Sequence, residues 1–362
     1  MSHHERRLET DLTRIRERVA SLAEHVERGL ENSVHALMSN DRDLAAQTIL
    51  EDGPINRHMR EIDALCHRFI AVHLPSAGPL RLISSVIRVN VMLERIGDYA
   101  VTICRELFQL SNRPSGMMAH GIELMAGEAR TMLRQAVQAY ADGNAESARA
   151  TMVMAHQVEM TFNNVFSDLL QSENDMPLKD RFALFVVYHR LERVADQAKN
   201  LCEETVFAAT GQTKAKKQYR ILFLDESNAC LAPMAAALAR STFPNSGIYD
   251  IGCLEPVESF LPSVADHLAQ RGISMDGLAP CRLDLTDTEL AEYHVIVSLQ
   301  GPLADYLPKT PFHSTPLNWD VGAANGLATD PDDQHQQCEA VHRELAGRIQ
   351  DLMILLRGDD AA

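Results

Sequence analysis

Apolar residues recur every three or four positions through the first part of the chain. In residues 8–37 they form one stripe, made of Leu8, Leu12, Ile15, Val19, Leu22, Val26, Leu30, Val34 and Leu37. This spacing predicts a long amphipathic helix, because positions three and four apart share one face of a helix. Polar capping residues follow, and the pattern predicts a second helix at about 43–72 and a third at about 80–111.

The same pattern recurs further along the chain. A second stripe is made of Ile122, Met125, Ala129, Met132, Ala136 and Tyr140. The third helices match best, since LERIGDYAVTICREL at 93–107 aligns with LERVADQAKNLCEET at 191–205 at a constant offset of 98 positions. An offset held over many positions indicates a duplicated unit. The sequence therefore predicts two three-helix antiparallel bundles, at residues 1–114 and 115–210.

Each copy carries two acids four positions apart on its third helix, namely Glu94 with Asp98 and Glu192 with Asp196. On a helix both carboxylates lie on one face, about one turn apart. They repel each other unless a cation neutralises them, and such hard oxygen ligands suit Mg, Mn, Ca or Fe ions. The alternative is a solvated helix face, on which the arginine after each glutamate balances the charge. The spacing alone leaves both interpretations open.

The hydrophobic period changes beyond residue 210. Residues 211–218 are polar and basic, which is typical of a linker. In 219–362 short apolar runs such as RILFL and YHVIVSL alternate with helical segments such as LAPMAAALARSTF and PSVADHLAQRGI. Strands that alternate with helices predict an α/β fold with a doubly wound parallel sheet.

Composition narrows the functional classes. The 362 residues suffice for about two to three domains. The formal charge of −16 argues against nucleic acid as a partner, since phosphate contacts need clustered Lys and Arg. No stretch approaches the roughly 18–20 apolar residues of a membrane span, and the N-terminus lacks an apolar signal core. Seven cysteines without a C-x-x-C pair indicate reduced thiols. We therefore expect a cytoplasmic protein with no membrane insertion and no organic cofactor.

Three segments of the helical half carry a family resemblance. They are DGPINRHMREID, LPSAGPLRLISSVIRVNVMLERIGDYA and RLERVADQAKNLCEETVFAATG. Together they resemble the PhoU family of phosphate-uptake regulators, over residues 5–212. The resemblance implies a cytoplasmic homodimer of paired three-helix bundles. It also implies partners, the ATPase of the phosphate ABC transporter and a phosphate-sensing histidine kinase, and repression of the phosphate-starvation response.

The PhoU resemblance further implies divalent or iron ions on the two acidic helices. When the ligand positions of the family are transferred to this sequence, the implied ligands are Asp52, Asn56, Glu94 and Asp98 in the first copy and Glu159, Glu192 and Asp196 in the second. The chain departs from the family pattern at three places. Pro54 lies within the first motif, Ala155 stands where the first copy has Asp52, and Pro79 replaces an acid that family members often show.

The stretch LDESNACLAPMA at 224–235 has the form of a phosphate-binding loop, with a strand, a turn and the start of a helix. With PSVADHLAQRGISMDG, YHVIVSL and the last helix, it resembles the low-molecular-weight tyrosine phosphatase and arsenate reductase family. In that family a nucleophilic Cys ends the strand, and an Arg six positions later holds the oxyanion. The corresponding degenerate loop here consists of Asp225, Ser227, Asn228, Cys230, Leu231 and Ala232. Because Asp225 and Leu231 replace the Cys and the Arg, we expect no catalytic residues and an inactive phosphatase-like domain.

Two further features each allow two interpretations. Ala323 and Ala324 occupy the segment expected to carry the general acid, so Asp330 is either a displaced acid or part of a turn. Cys230 and Cys253 are either redox partners or buried, inert thiols.

Three functions are compatible with these patterns. The first is a non-enzymatic regulator of phosphate homeostasis, whose C-terminal module serves interaction or oxyanion sensing. The second is an active phosphatase or arsenate reductase with a regulatory helical half, and the third is a metal-binding bundle protein.

Overall fold

The first predicted bundle is formed by four helices. This computed structural model describes residues 3–171, 176–213, 217–311, 314–321 and 331–358. The four helices are α1 (His3–Ser39), α2 (Arg42–Leu50), α3 (Asp52–His73) and α4 (Ala77–Leu107). The predicted stripe of α1 faces the core, where Leu22, Val26 and Leu30 are fully buried. The helix at 8–37 is confirmed, and it extends slightly beyond both predicted ends.

The second predicted helix, at 43–72, is broken into α2 and α3 at Glu51. Pro54 lies in the first turn of α3, where its missing N–H removes no bond within the helix. The second copy breaks at the corresponding place, at Val153, although no proline is present there. The break is therefore a shared feature of both copies, and Pro54 alone does not explain it.

The second bundle repeats this order with α5 (Gly116–Asp142), α6 (Ala145–Met152), α7 (Met154–Gln171) and α8 (Leu178–Thr210). Both short helices begin with the same cap. The Asp41 carboxylate accepts hydrogen bonds from two backbone N–H groups of α2, and the Asn144 side chain does the same for α6. The buried stripes of α1 and α5 contribute to a single apolar core that includes residues from all eight helices.

The C-terminal residues form a parallel sheet with helices. Its elements are β1 (Tyr219–Asp225), α9 (Leu231–Thr242), β2 (Gly247–Cys253), α10 (Pro262–Ala269), α11 (Asp287–Leu290), β3 (Val295–Ser298), β4 (Thr315–Asn318) and α12 (Pro331–Arg357). All pairings are parallel, and the strand order β2-β1-β3-β4 confirms the predicted doubly wound α/β class. The edge strand β4 was not predicted, because its four residues are mostly exposed and include Pro316.

Side chains of β1 alternate between two apolar clusters, as they do in a sheet covered on both faces. Ile221 and Phe223 pack with α9 and α12, whereas Leu222 and Leu224 pack with Tyr293 and neighbouring residues on the opposite face. The carboxyl end of β1 therefore delivers Asp225 to the start of α9, where a doubly wound fold places its ligand site.

The chain divides into two compact units, Met1–Lys214 and Ala215–Ala362. None of the described helices is both long enough and apolar enough to span a membrane.

Candidate functional site

The structure brings the acids of the first copy together. Glu94 and Asp98 lie one turn apart on α4, and Asp52 begins the facing helix α3. Burial raises the pKa of Glu94, and the negative charges of Asp98 and Asp52 raise it further. Burial and Asp52 likewise raise the pKa of Asp98. These carboxylates are therefore close enough to oppose one another's ionisation.

Asn56 also reaches this cluster, as the resemblance to the PhoU family implied. Its Nδ2 donates a hydrogen bond to Asp52 Oδ2 at 2.8 Å. The other oxygen, Asp52 Oδ1, is buried and accepts no hydrogen bond from the described residues. A buried carboxylate oxygen without a donor is destabilising, and a cation can satisfy it.

The second copy is arranged differently. Burial, Asp196 and Glu159 together raise the pKa of Glu192 to about 7, although Arg193 acts in the opposite direction. Asp196 Oδ2 accepts a hydrogen bond from Arg193 Nη1 at 2.6 Å. The Arg193 guanidinium thus neutralises the Asp196 carboxylate.

The donor chemistry of the first copy fits a hard cation, since it combines one amide with three carboxylates, one of which has an unpartnered oxygen. Its present arrangement is looser than a complete ligand set. Across the described ranges, no three His, Cys, Asp or Glu side chains are grouped so that they could hold one ion. Asp52, Asn56, Glu94 and Asp98 are the residues that would hold a cation in the first copy.

The degenerate loop is filled by the side chain of its first residue. Asp225 is only 3% exposed. Its Oδ1 accepts hydrogen bonds from the backbone N of Asn228 at 2.6 Å and from Asn228 Nδ2 at 2.9 Å. Its Oδ2 accepts one from the backbone N of Ala232 at 2.9 Å, in the first turn of α9. Backbone N–H groups that would otherwise be available to an anion are therefore directed at a carboxylate of the protein itself.

Asn228 holds this arrangement in place. Its φ of 55° lies in the left-handed region, which Asn tolerates better than most residues. Its Nδ2 also donates to the carbonyl of Gly252 at 3.1 Å, and its Oδ1 accepts from the backbone N of Cys281 at 3.1 Å. The loop is thereby tied to β2 and to the segment that follows α10.

Burial has the largest effect on the pKa of Asp225. Burial raises the pKa of Asp225, while the N–H groups of Ala232 and Asn228 act to lower it. At the exposed mouth, Glu226 Oε2 accepts a hydrogen bond from Gln300 Nε2 at 2.9 Å. Burial raises the pKa of the nearby Tyr306 to about 12, with Asp225 and Glu226 contributing. No positive charge acts on Asp225 among the interactions that shift its pKa.

The remaining loop positions offer little chemistry. Leu231 and Ala232 are buried in the apolar core, and Ser227 is half-buried with its carbonyl bound to the N–H of Val257 at 3.0 Å. Burial raises the pKa of Cys230 to about 12 and that of Cys253 to about 11, as expected of inert thiols rather than reactive ones.

Sequence reasoning identified Asp225 only as a lost nucleophile and missed its role as an acceptor of hydrogen bonds from the loop. An Asp at the end of the strand with an Asn three positions later was the available signal, because such side chains bond to nearby backbone N–H groups. The candidate acid Asp330, with Ala323 and Ala324, lies outside the described residues.

Comparison with known proteins assigns the helical half. The PhoU domain family matches residues 19–107 and 122–205. A phosphate-specific transport system accessory protein PhoU homolog of Pseudomonas putida is 29% identical over 217 residues, covering 58% of this chain and 84% of that protein. The crystal structure of PhoU from Pseudomonas aeruginosa has a TM-score of 0.54 and 27% identity, covering 56% of this chain and 99% of that chain.

The C-terminal unit has structural neighbours of its own. A structure described as an arsenate reductase in the phosphate binding state covers 38% of this chain and 99% of that chain, with a TM-score of 0.32 and 18% identity. Our assignment of the C-terminal fold rests on the observed strand order and pairing.

Proposed function

Residues 19–107 and 122–205 belong to the PhoU domain family, and on this premise we propose that the protein is a regulator of phosphate transport. The observation that carries the proposal is the presence of two PhoU domains in one helical unit, each with its pair of acids on the last helix. Relatives such as that of Pseudomonas putida are named accessory proteins of the phosphate-specific transport system.

In this proposal the protein works in the cytoplasm as a homodimer. It acts on the ATPase of the phosphate ABC transporter and on a phosphate-sensing histidine kinase, and it represses the phosphate-starvation response. The names of the relatives support the connection with transport. The partners, the dimer and the direction of regulation are part of the proposal.

Gene deletion with complementation tests this function. We expect deletion to activate a phosphate-starvation reporter in phosphate-rich medium and the full chain to restore repression. The chain should also co-purify with the transporter ATPase or the histidine kinase. The proposal would be refuted if deletion did not change the reporter signal and the chain bound neither partner.

The C-terminal unit is proposed to be a non-catalytic module for interaction or oxyanion sensing. The support is that the Asp225 carboxylate, rather than a thiolate and a guanidinium, lies at the N–H groups of Asn228 and Ala232. We expect no hydrolysis of p-nitrophenyl phosphate above the uncatalysed rate. Hydrolysis that is lost in Asp225→Ala would establish the alternative, an aspartyl-phosphate enzyme.

Cation binding by the first copy is a second candidate property, and the unpartnered Asp52 Oδ1 favours it. We expect elemental analysis of protein purified without chelators to show a divalent or iron ion. The amount of this ion bound per protein should be lower in Glu94→Ala than in native protein. The decrease should be smaller in Glu192→Ala, since Arg193 already neutralises Asp196 in the second copy. An equal content in native protein and Glu94→Ala would contradict this assignment.

A further inference from the structure

A cavity of about 420 Å³ lies in the C-terminal unit, beside the edge strand β2. Its lining includes Asp250 and Gly252 of β2 and the segment that runs from Gly277 to Leu285. The cavity is separate from the degenerate loop, because none of residues 225–232 lines it. Its volume is within the range of pockets that hold small molecules.

Three arginines line the cavity, and they differ in how their charges are balanced. Arg220 Nη2 pairs with Asp250 Oδ2 at 3.2 Å, and Arg220 also pairs with Glu292. Among the described residues, Arg240 donates only to carbonyl groups, to that of Tyr249 at 2.7 Å and that of Asp276 at 3.5 Å. A carbonyl group accepts a hydrogen bond but carries no formal charge.

The third arginine, Arg282, is exposed and makes no side-chain hydrogen bond or ion pair with the residues that the structure describes. Within the same described set, no carboxylate lies at ion-pair distance from Arg240 either. The cavity thus has two guanidinium groups without a carboxylate partner in the part of the chain that the structure describes, and the formal charge of the chain is −16. Such a local excess of positive charge attracts an anion against the overall field of the protein.

The chemistry of the cavity indicates which anion it suits. Two guanidinium charges match the charge of a phosphate monoester, about −1.5 to −2 at neutral pH. Leu278 and Leu283 add apolar wall beside the arginines, and the Tyr293 ring lies beneath the Arg220 guanidinium at 4.7 Å. Inorganic phosphate alone would leave this apolar wall uncovered, whereas an organic group attached to the phosphate would cover it.

We propose that this cavity binds a small organic phosphate monoester, with Arg240 and Arg282 on the phosphate group and the leucine wall against the organic group. The site does not depend on the helical half being a regulator of phosphate transport. It would provide the C-terminal unit with a ligand although Asp225 occupies the degenerate loop.

Titration of AMP and of inorganic phosphate into the full chain tests the proposal. We expect AMP to bind at least about tenfold more tightly than phosphate, because only AMP covers the apolar wall. Arg282→Glu should weaken AMP binding by about 10- to 100-fold, the effect of losing a charged hydrogen bond. Because Arg282 is exposed and makes no side-chain hydrogen bond or ion pair with described residues, this change should leave the thermal unfolding temperature of the protein unchanged.

Arg343→Glu is the matched control, since Arg343 is also exposed but lies outside the cavity lining. Cys281 provides a second readout, because this exposed thiol lines the cavity. AMP should slow its alkylation by iodoacetamide, followed by peptide mass mapping, in native protein and not in Arg282→Glu. The proposal would be overturned by any one of three results. AMP does not bind, AMP and phosphate bind with equal affinity, or Arg282→Glu binds AMP as tightly as native protein does.

Discussion

Asp225 accepts two hydrogen bonds from Asn228, one from its backbone N–H at 2.6 Å and one from its side-chain amide at 2.9 Å. The backbone N–H of Ala232, at the start of α9, donates a third hydrogen bond to this side chain. A loop with the form of an oxyanion site thus holds a carboxyl group that is covalently part of the chain. We expect the loop conformation to depend on this carboxyl group rather than on a dissolved ligand.

The first prediction concerns the stability of the C-terminal unit. In Asp225→Asn an amide NH₂ replaces one acceptor oxygen, so a buried N–H of Asn228 or Ala232 loses its partner. We expect the free energy of unfolding to fall by about 1–3 kcal/mol. Trp319 is the single tryptophan of the chain and packs near Phe223, with 5.9 Å between ring centroids. Its fluorescence during urea unfolding reports on this unit.

Asp284→Asn serves as the control for Asp225→Asn, because Asp284 is exposed in the same unit. It should change the free energy of unfolding by less than about 0.5 kcal/mol. An equal effect of the two substitutions would contradict a structural role for the Asp225 carboxylate.

The second prediction concerns phosphate binding at the loop. We expect the combined variant Asp225→Cys and Leu231→Arg to bind inorganic phosphate at least about tenfold more tightly than native protein. The substitutions remove the internal carboxylate and add a guanidinium, which forms charged hydrogen bonds with phosphate worth ~1.5–3 kcal/mol. Isothermal titration measures the difference.

The same titration in an Arg282→Glu background distinguishes phosphate binding at the loop from phosphate binding in the arginine-lined cavity. If the gain of the combined variant disappears in that background, the phosphate is bound outside the loop and the prediction is wrong.

The third prediction concerns the pH dependence of the helical unit. Burial and neighbouring acids raise the pKa of Glu192 from 4.5 to about 7, so the folded state holds a proton that the unfolded state releases. This group therefore stabilises the fold below about pH 4.5, and its contribution is lost as the pH rises to about 7. Glu192→Gln should consequently gain stability relative to native protein as the pH rises through this window.

Urea unfolding followed by far-ultraviolet circular dichroism measures the difference between Glu192→Gln and native protein at each pH. Taking that difference removes the contributions of other titrating groups that the substitution leaves unchanged. Glu123→Gln is a suitable control, because Glu123 is exposed on α5. A difference that does not change between these pH values would show that Glu192 is ionised normally.

The sequence predicted those features that depend on local spacing. The stripes of α1 and α5 have a period near that of a helix, and their residues are buried as expected. The break between α2 and α3 at Glu51 was anticipated only in part, because Pro54 indicated a kink or restart while the apolar pattern predicted one helix across it. The strand β4 was missed because Thr315–Asn318 has little apolar content to mark it.

The sites were less predictable, since they depend on contacts between distant residues. The third donor to Asp225 is the N–H of Ala232, seven positions away on the next helix. Arg240 and Arg282 meet at one cavity although one belongs to α9 and the other follows α10. The acid pairs on α4 and α8 were found by spacing, yet the hydrogen bond from Arg193 to Asp196 that distinguishes the second copy required the structure.

The last prediction concerns the packing of α5. A Cβ at Gly121 would lie 2.7 Å from Val165 Cγ1 and 3.2 Å from the Tyr188 hydroxyl, which donates to the carbonyl of Met118 at 2.8 Å. Val165 is β-branched and cannot easily turn aside, so Gly121→Ala should destabilise the helical unit by about 1–3 kcal/mol. Gly127→Ala, on the same helix with open space around it, should instead stabilise it by about 0.5–1 kcal/mol. Thermal unfolding followed at 222 nm distinguishes the two, and a shift of both variants in one direction would contradict this account of α5 packing.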